Sequence, residues 1–475
     1  MLVEYNNLSC ISKEMTLRSD VKYILSESSL SSEDYYLFSD LFDIVSDDKI
    51  DVSELSEFNY VEIGNISSTE DVSPVALSIE ERNELNEKYF KKIEKGDIIR
   101  VRKDDILIAK VRPYLKKFLL IDETNDSFFY TSAFIHIRAK SHPKLLFYAL
   151  KSVFNHTLNS ISRQGKGYPT LSERDILMLK FRKRDVDLLF AHSKIITQKI
   201  CSLESQICNL KKNIKSDKEI IDSVIIERFN LDIAKLSKID NTRCFITPFD
   251  KLSTGNYEIR DSVRYNKLQL IQKEILSNID SYEVLDAYLF GVKTKNGWSP
   301  ENNELGGSSK ILGIDALRFN GILSTDNPKF TNETRDDINK FIVNDGDFFI
   351  SRGNTVNLVA LASVAQNIED DYIFPDIMIK LFVDDFKINK MYLAYIFNSI
   401  IGRLYFKYAS KGKQQTMVKV SSDTIRNFII PQISILEQEK VVNDIRCETD
   451  KQVGVVRQIA KLRADIDKLI YDIVK

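Results

Sequence analysis

The chain of 475 residues is poor in the side chains that metal and thiol chemistry require, with four histidines and five cysteines. The cysteines, at positions 10, 201, 208, 244 and 447, are odd in number and form no CxxC pair, which favours reduced thiols in a cytoplasm. Cys201 and Cys208 lie one heptad apart in a helical pattern and are expected to serve helix packing. His136 and His142 belong neither to an HExxH motif nor to a zinc-spaced cluster, so no metal site is expected. No apolar run approaches the roughly 18–20 residues of a membrane span. The stretch Met1–Cys10 lacks the basic-then-apolar layout of a signal peptide.

Nucleotide and group-transfer signatures are missing too. There is no GxxxxGK[ST] loop, no GxGxxG opening a helix and no GxSxG elbow. Asn327-Pro328 continues with Lys329, so the Asn-Pro-Pro-aromatic motif of adenine methyltransferases is absent. Pro375-Asp376 followed by Lys380 has the outline of a PD…(D/E)xK nuclease, in which carboxylates hold a metal ion. Its downstream partner would have to be the loop-like Asp385-Phe386-Lys387, and the repeat counterpart of Asp376 is Ser132. No catalytic residue and no cofactor is expected.

What is present is segregated charge. The chain carries 67 Lys and Arg against 69 Asp and Glu, a net charge of −2. Met1–Glu87 holds 5 basic and 20 acidic residues, which leaves a balance of +13 on the remainder. A near-neutral total therefore conceals a basic region suited to a polyanion. The acidic segment is expected to face away from it. The length exceeds the roughly 250–300 residues at which single cores stop growing, so more than one domain is expected.

The chain also repeats itself. KDDILIAKVRP (Lys103–Pro113) matches NDGDFFISRGN (Asn344–Asn354), with Asp105 on Asp347 and Lys110 on Arg352. Strand-like Phe128–Ala139 then pairs with Tyr372–Val383, and helical Leu145–Asn155 with Lys390–Ile400. Glycine-lysine loops follow, Ser162–Ser172 and Ala409–Ser421, and then RDILMLKF and DTIRNFII. All these matches keep one order and a separation of roughly 242–249 residues. The leading parts, Met1–Lys95 and Cys244–Lys340, do not align.

Each half ends in a heptad pattern. Leu189, Ile196, Leu203, Leu210 and Val224 form one ladder, broken at Asp217, and Ile200, Ile207, Ile214 and Ile221 form another. Val455, Leu462 and Leu469 alternate with Ile459, Ile466 and Ile473 in the second half. Such seams call for helical partners. A homodimeric coiled coil and an antiparallel pair within one chain both satisfy them, the second being favoured by effective concentration.

Basic residues cluster near the repeated loops. Lys88–Leu120 has a balance of +7, and Gly402–Lys419 holds five cations and no acid. Candidate DNA contacts in the first half are Lys110, Arg112, Tyr114, Lys116, Lys117, Arg163, Lys166 and Tyr168. In the second half they are Arg352, Asn354, Arg403, Lys407, Lys411, Lys413, Gln414 and Gln415. Cations neutralise phosphates, while Arg, Asn, Gln and Tyr also address base edges. Glycine beside lysine lets backbone approach phosphate closely.

Asp104–Lys117 and Gly346–Asn354 resemble the strand-and-loop motif in target-recognition domains of type I restriction–modification specificity subunits. FIIPQISILEQEKVVNDI (Phe428–Ile445) resembles that family's entry to its conserved helices, through Pro431, Glu437 and Gln438. The first junction, Lys180–Ile196, departs by lacking the proline and the Glu-Gln pair. The resemblance covers essentially the whole chain. It implies an α+β fold of two duplicated globular target-recognition domains separated by an antiparallel pair of long coiled-coil helices. The expected boundaries are 1–185, a central helix over 186–230, 231–435, and a C-terminal helix over 436–475. It also implies a non-catalytic subunit that reads bipartite double-stranded DNA, one half-site per domain. Two modification (methyltransferase) subunits and restriction subunits would dock on it in the cytoplasm, with no membrane involved. Two other readings stay open: an autonomous nuclease or modification enzyme, and a coiled-coil scaffold for proteins.

Overall fold

A computed structural model describes residues 34–46, 50, 56–66, 71–80, 82, 86–155, 158, 162–164, 169–246, 262–303, 306–412 and 417–475. Most of the acidic leading segment, 1–33 included, lies outside them. Helices and strands are mixed, and the chain divides into two compact units. One comprises Met1–Asn213 with Val455–Lys475, the other Ile214–Gly454.

The first unit is built on an antiparallel sheet of β1 (Phe42–Ile44), β2 (Asp105–Ala109), β3 (Phe118–Leu120) and β4 (Phe134–Ala139), in the order β1-β4-β2-β3. Every residue of β2 is buried, because this strand is central and covered on both faces. Leu107 and Ala109 enter a core with Val61, Ile99 and Tyr130 from a second sheet. Ile106 and Ile108, by the alternation of a strand, face the other way, toward the side on which helix α1 (Pro143–Lys151) packs. That second sheet joins Val75–Ser78, Glu57–Val61, Phe129–Tyr130 and Ile99–Arg100, with Glu57–Val61 parallel to Phe129–Tyr130.

The second unit has β5 (Leu289–Asn296), β6 (Phe348–Ser351), β7 (Ala362–Val364) and β8 (Met378–Val383), in the order β5-β8-β6-β7. The strand order recurs, and so does the register. Ile106 faces Ile137 and Leu120, while Phe348, 242 residues on, faces Leu381 and Val364, each 244 residues on. The accompanying sheet again has one parallel pair, Ser309–Ile311 with Tyr372–Ile373, and an antiparallel neighbour, Lys329–Thr331. The leading segments that fail to align in sequence thus form the same pairings. Pairing uses backbone groups and apolar spacing, which different side chains satisfy equally.

The heptad segments become helices α2 (Ser193–Lys211), α3 (Asp217–Phe229) and α6 (Ile435–Val474), the last of 40 residues. The central helix expected over 186–230 is divided into shorter helices. Lys183–Ala191, α2 and α3 are separate, with a break before Ser216. There the Glu219 carboxylate accepts from the Ser216 backbone N–H (2.7 Å) and hydroxyl (2.8 Å), a capping box that starts a new helix. The first unit buries Ile196, Ile200 and Ile207 on α2 and Ile459, Ile466 and Ile470 on α6. Within the second unit α3 and the start of α6 run in opposite directions, since Arg228 pairs with Glu437 (2.6 Å) and the Lys215 N–H donates to Gln452 (3.1 Å). Cys201 and Cys208 are exposed, so neither thiol packs in the helix seam.

The Pro431, Glu437 and Gln438 motif acquires a physical role here. The Tyr392 hydroxyl donates to the Pro431 carbonyl (2.9 Å), and Glu437 accepts from the Ser434 hydroxyl (2.9 Å). Gln438, 3% exposed, accepts from the Asn389 N–H (2.8 Å) at the start of α4 (Lys390–Asn398). The motif ties α6 to the globular part of its unit.

Candidate nucleic-acid interface

Both basic loops leave the same strand of their sheet and are closed by the same kind of hairpin. In the first unit β2 runs into Lys110, and Val111 bridges Thr170 of the Arg163–Gln164/Pro169–Thr170 ribbon. In the second, β6 runs into Arg352, and Gly353 pairs with Lys419 of the strand Val418–Lys419. Lys411 bridges Lys419 in turn. Lys166, Tyr168, Lys413, Gln414 and Gln415 lie outside the described residues.

The first loop turns through a 3-10 segment, Pro113–Leu115, flanked by Arg112 and Lys116, both in the left-handed region at φ 51°. Each such non-glycine residue costs roughly 1 kcal/mol, so the geometry must be held from outside. Arg112 N–H to the Pro169 carbonyl (2.9 Å) holds it from outside, and Leu115 N–H to Arg112 (2.9 Å) and Phe118 N–H to Lys116 (2.8 Å) close the turn itself. Pro113 is buried, while Arg112, Tyr114 and Leu115 are exposed.

The named cations differ in what they are free to do. Lys110 donates to the Ser132 carbonyl (2.8 Å) and pairs with Glu173 (3.2 Å). Arg163, half exposed, pairs with Asp175 (2.7 Å). Lys117 donates to the Ile63 and Ile66 carbonyls (3.0 and 3.1 Å) and braces a neighbouring turn. Arg352, partly exposed, makes no side-chain hydrogen bond or ion pair among the described residues. Asn354 accepts from the Thr355 N–H (2.8 Å), and the Lys411 side chain is exposed.

One expectation is corrected. Arg403, in α5 (Ile400–Ala409), is 8% exposed and donates to the carbonyls of Phe397 (3.0 Å), Val359 (2.8 Å) and Ala360 (2.8 Å). Its guanidinium stitches loop carbonyls together and is out of reach of a phosphate. Burial pushes its pKa down, against the charge of Asp222. Lys407 pairs with Asp240 (2.8 Å), which also accepts from the Tyr408 hydroxyl (2.5 Å). Cationic sequence alone does not distinguish these internal roles from a phosphate contact.

At the start of each strand, the end opposite the basic loop, lies an acid–base pair that sequence reading passed over. The Asp105 carboxylate is fully buried and meets His136 Nε2 (2.8 Å) and Arg138 Nε (2.7 Å). It also accepts from the Arg102 N–H (2.8 Å). Burial opposes its charge, yet these donors hold its pKa below the usual carboxylate range. Asp347 repeats the arrangement, accepting from Lys380 Nζ (2.6 Å) and from the Asn344 N–H (2.9 Å). The signal was available, because Asp105 and Asp347 were already matched in the repeat. Among the described residues no group of three His, Cys, Asp or Glu side chains is placed to hold a metal ion, and no helix is long and apolar enough to cross a membrane.

No protein-family model matches the chain, and no curated protein matches it in sequence. Three solved structures similar to it come from type I restriction–modification systems. One is from a study of complex assembly and conformational transition of the type I R-M system: 15% identity, 93% of this chain and 96% of that one, TM-score 0.37. The HsdS subunit from Thermoanaerobacter tengcongensis has 16% identity over 93% of this chain and 95% of its own, with a TM-score of 0.32. The type I restriction–modification S subunit from M. genitalium has 14% identity over 93% and 96%, with a TM-score of 0.36.

Proposed function

We propose that the chain is the non-catalytic sequence-reading subunit of a type I restriction–modification complex, working in the cytoplasm. The observation that carries this reading is the recurrence, in both units, of a basic loop leaving the same strand and closed by the same hairpin. Two duplicated recognition domains of this kind suit two half-sites, one for each. Cations on the loops engage phosphate, and polar side chains beside them address bases. The strand frame beneath is rigid, so differences in loop residues change the sequence read without changing the fold.

The long helices serve as the spacer between half-sites and as the docking surface for two modification subunits, which restriction subunits join. Exposed apolar residues on α6, among them Leu436, Val453, Val456 and Tyr471, support such docking. Methyl transfer, ATP use and cleavage then belong to the partners.

The test is a domain exchange. Residues 34–182 of this chain are replaced by the corresponding segment of a specificity subunit with a different target, and methylation is mapped after adding the modification subunit. One half-site changes and the other stays. If both change, or if the purified chain alone cleaves or methylates DNA with Mg²⁺ or S-adenosylmethionine, the proposal fails.

A further inference from the structure

We infer that the Pro113–Leu115 turn is a rigid apolar wedge that enters the base stack of the duplex read by the first unit. The inference rests on the DNA-reading function proposed above and assigns a distinct job to one turn within it. Like Ile435 and Leu436 at the start of α6, Tyr114 and Leu115 are adjacent exposed apolar side chains, the latter pair each about half exposed, at 51% and 50%. They project from a turn whose flanking residues are both held left-handed and whose proline is buried. The Tyr114 hydroxyl makes no hydrogen bond among the described residues, so the fold itself does not require the ring.

Charge complementarity names the occupant. The tip is bordered by Arg112 and Lys116, in a stretch, Lys88–Leu120, with a balance of +7. An apolar tip between cations fits a surface of stacked bases between phosphates, where insertion unstacks one step and bends the duplex. A pre-formed turn loses little freedom on entry, so more of the contact energy remains for unstacking. Among the described residues the second unit has no such tip after β6. At the equivalent place Thr355 and Asn357 are exposed and Val356 packs against the core. The two half-sites are therefore read by unlike means: one by wedge and distortion, the other by polar contact.

The experiment uses the full chain and a random-duplex library, from which bound duplexes are selected and both half-sites identified. Each adenine of the half-site read by the first unit is then replaced singly by 2-aminopurine. One step brightens on binding the wild-type chain. Leu115→Ala and Tyr114→Ala abolish the brightening and weaken that duplex about 10-fold, leaving the slope of affinity against salt unchanged. Leu115→Met retains both effects. Phe386→Ala, which removes another exposed aromatic, serves as the control with full brightening. A single-nucleotide gap at the brightened step restores the affinity of both alanine variants, because unstacking is then already done.

Specific binding with no brightening at any step would overturn the wedge and leave the DNA-reading function standing. So would alanine variants that bind the selected duplex as tightly as wild type. A library from which nothing is enriched would overturn the DNA-reading function and the wedge together.

Discussion

Asp105 and His136 meet at 2.8 Å across neighbouring strands, and 242 and 244 residues further on Asp347 and Lys380 meet at 2.6 Å in the same register. Both acids close the turn that starts their strand and reach a base on the adjacent one. This places an acid–base clamp at the start of each strand, with the basic loop leaving from its other end.

The clamp makes the first unit sensitive to acid. Asp105 has its pKa lowered in the folded state, so its contribution is full above the ordinary Asp value and is lost as pH falls through the lower, folded value. Urea unfolding at pH 7 should show Asp105→Asn destabilised by about 3 kcal/mol, since the change strips a buried pair of its charge. Below about pH 4 the gap between wild type and variant should close. A gap that is constant from pH 7 to 3 would remove the clamp from the account.

Arg352 and Arg403 should behave oppositely. Arg403→Met should lower stability by about 3 kcal/mol, because several loop carbonyls lose a buried donor. Arg352→Ala should leave the melting temperature unchanged and weaken specific DNA binding by about 1–3 kcal/mol. Thermal melts beside DNA titrations of both variants separate the roles.

Lys411 is exposed and tied to the fold through its backbone. Lys411→Ala should reduce the slope of log affinity against log salt by about 1 without altering which sequence is preferred. Titrations at several salt concentrations measure this directly.

Gly402 lies where a Cβ would stand 2.1 Å from the Phe397 carbonyl oxygen. Only glycine lets α5 start against the end of α4 at that distance. Gly402→Ala should cost about 1–3 kcal/mol, visible as a lowered urea midpoint with an unchanged m-value.

If the helices act as a ruler, four residues inserted into both α2 and α6 lengthen each by about 6 Å. The tolerated spacer between half-sites should then grow by about two base pairs. Methylation mapped on a spacer series reads the change, and an unaltered spacer preference argues against the ruler.

Much of this protein was legible in one dimension. Matching Asp105 with Asp347 and Phe128–Ala139 with Tyr372–Val383 located strands that do share order and register. Apolar periodicity found the 40-residue helix α6, because burial along a helix imposes its own spacing on the chain. The break before Ser216 showed in sequence only as the interruption at Asp217, since the second ladder runs on while a local capping box starts a new helix. The shared sheet of the leading segments was invisible, because backbone pairing leaves side chains free to diverge.

Sequence alone therefore determined the repeat, the helical seams and the regions of positive charge, all of which follow from spacing and composition. Tertiary structure alone decided which cations face outward. Arg352 and Arg403 carry the same charge, but one stands partly exposed at a strand end and the other is enclosed by carbonyls. A cation's role depends on the acceptors that folding brings within 3 Å of it, and for Arg403 two of these, Val359 and Ala360, come from a distant part of the chain.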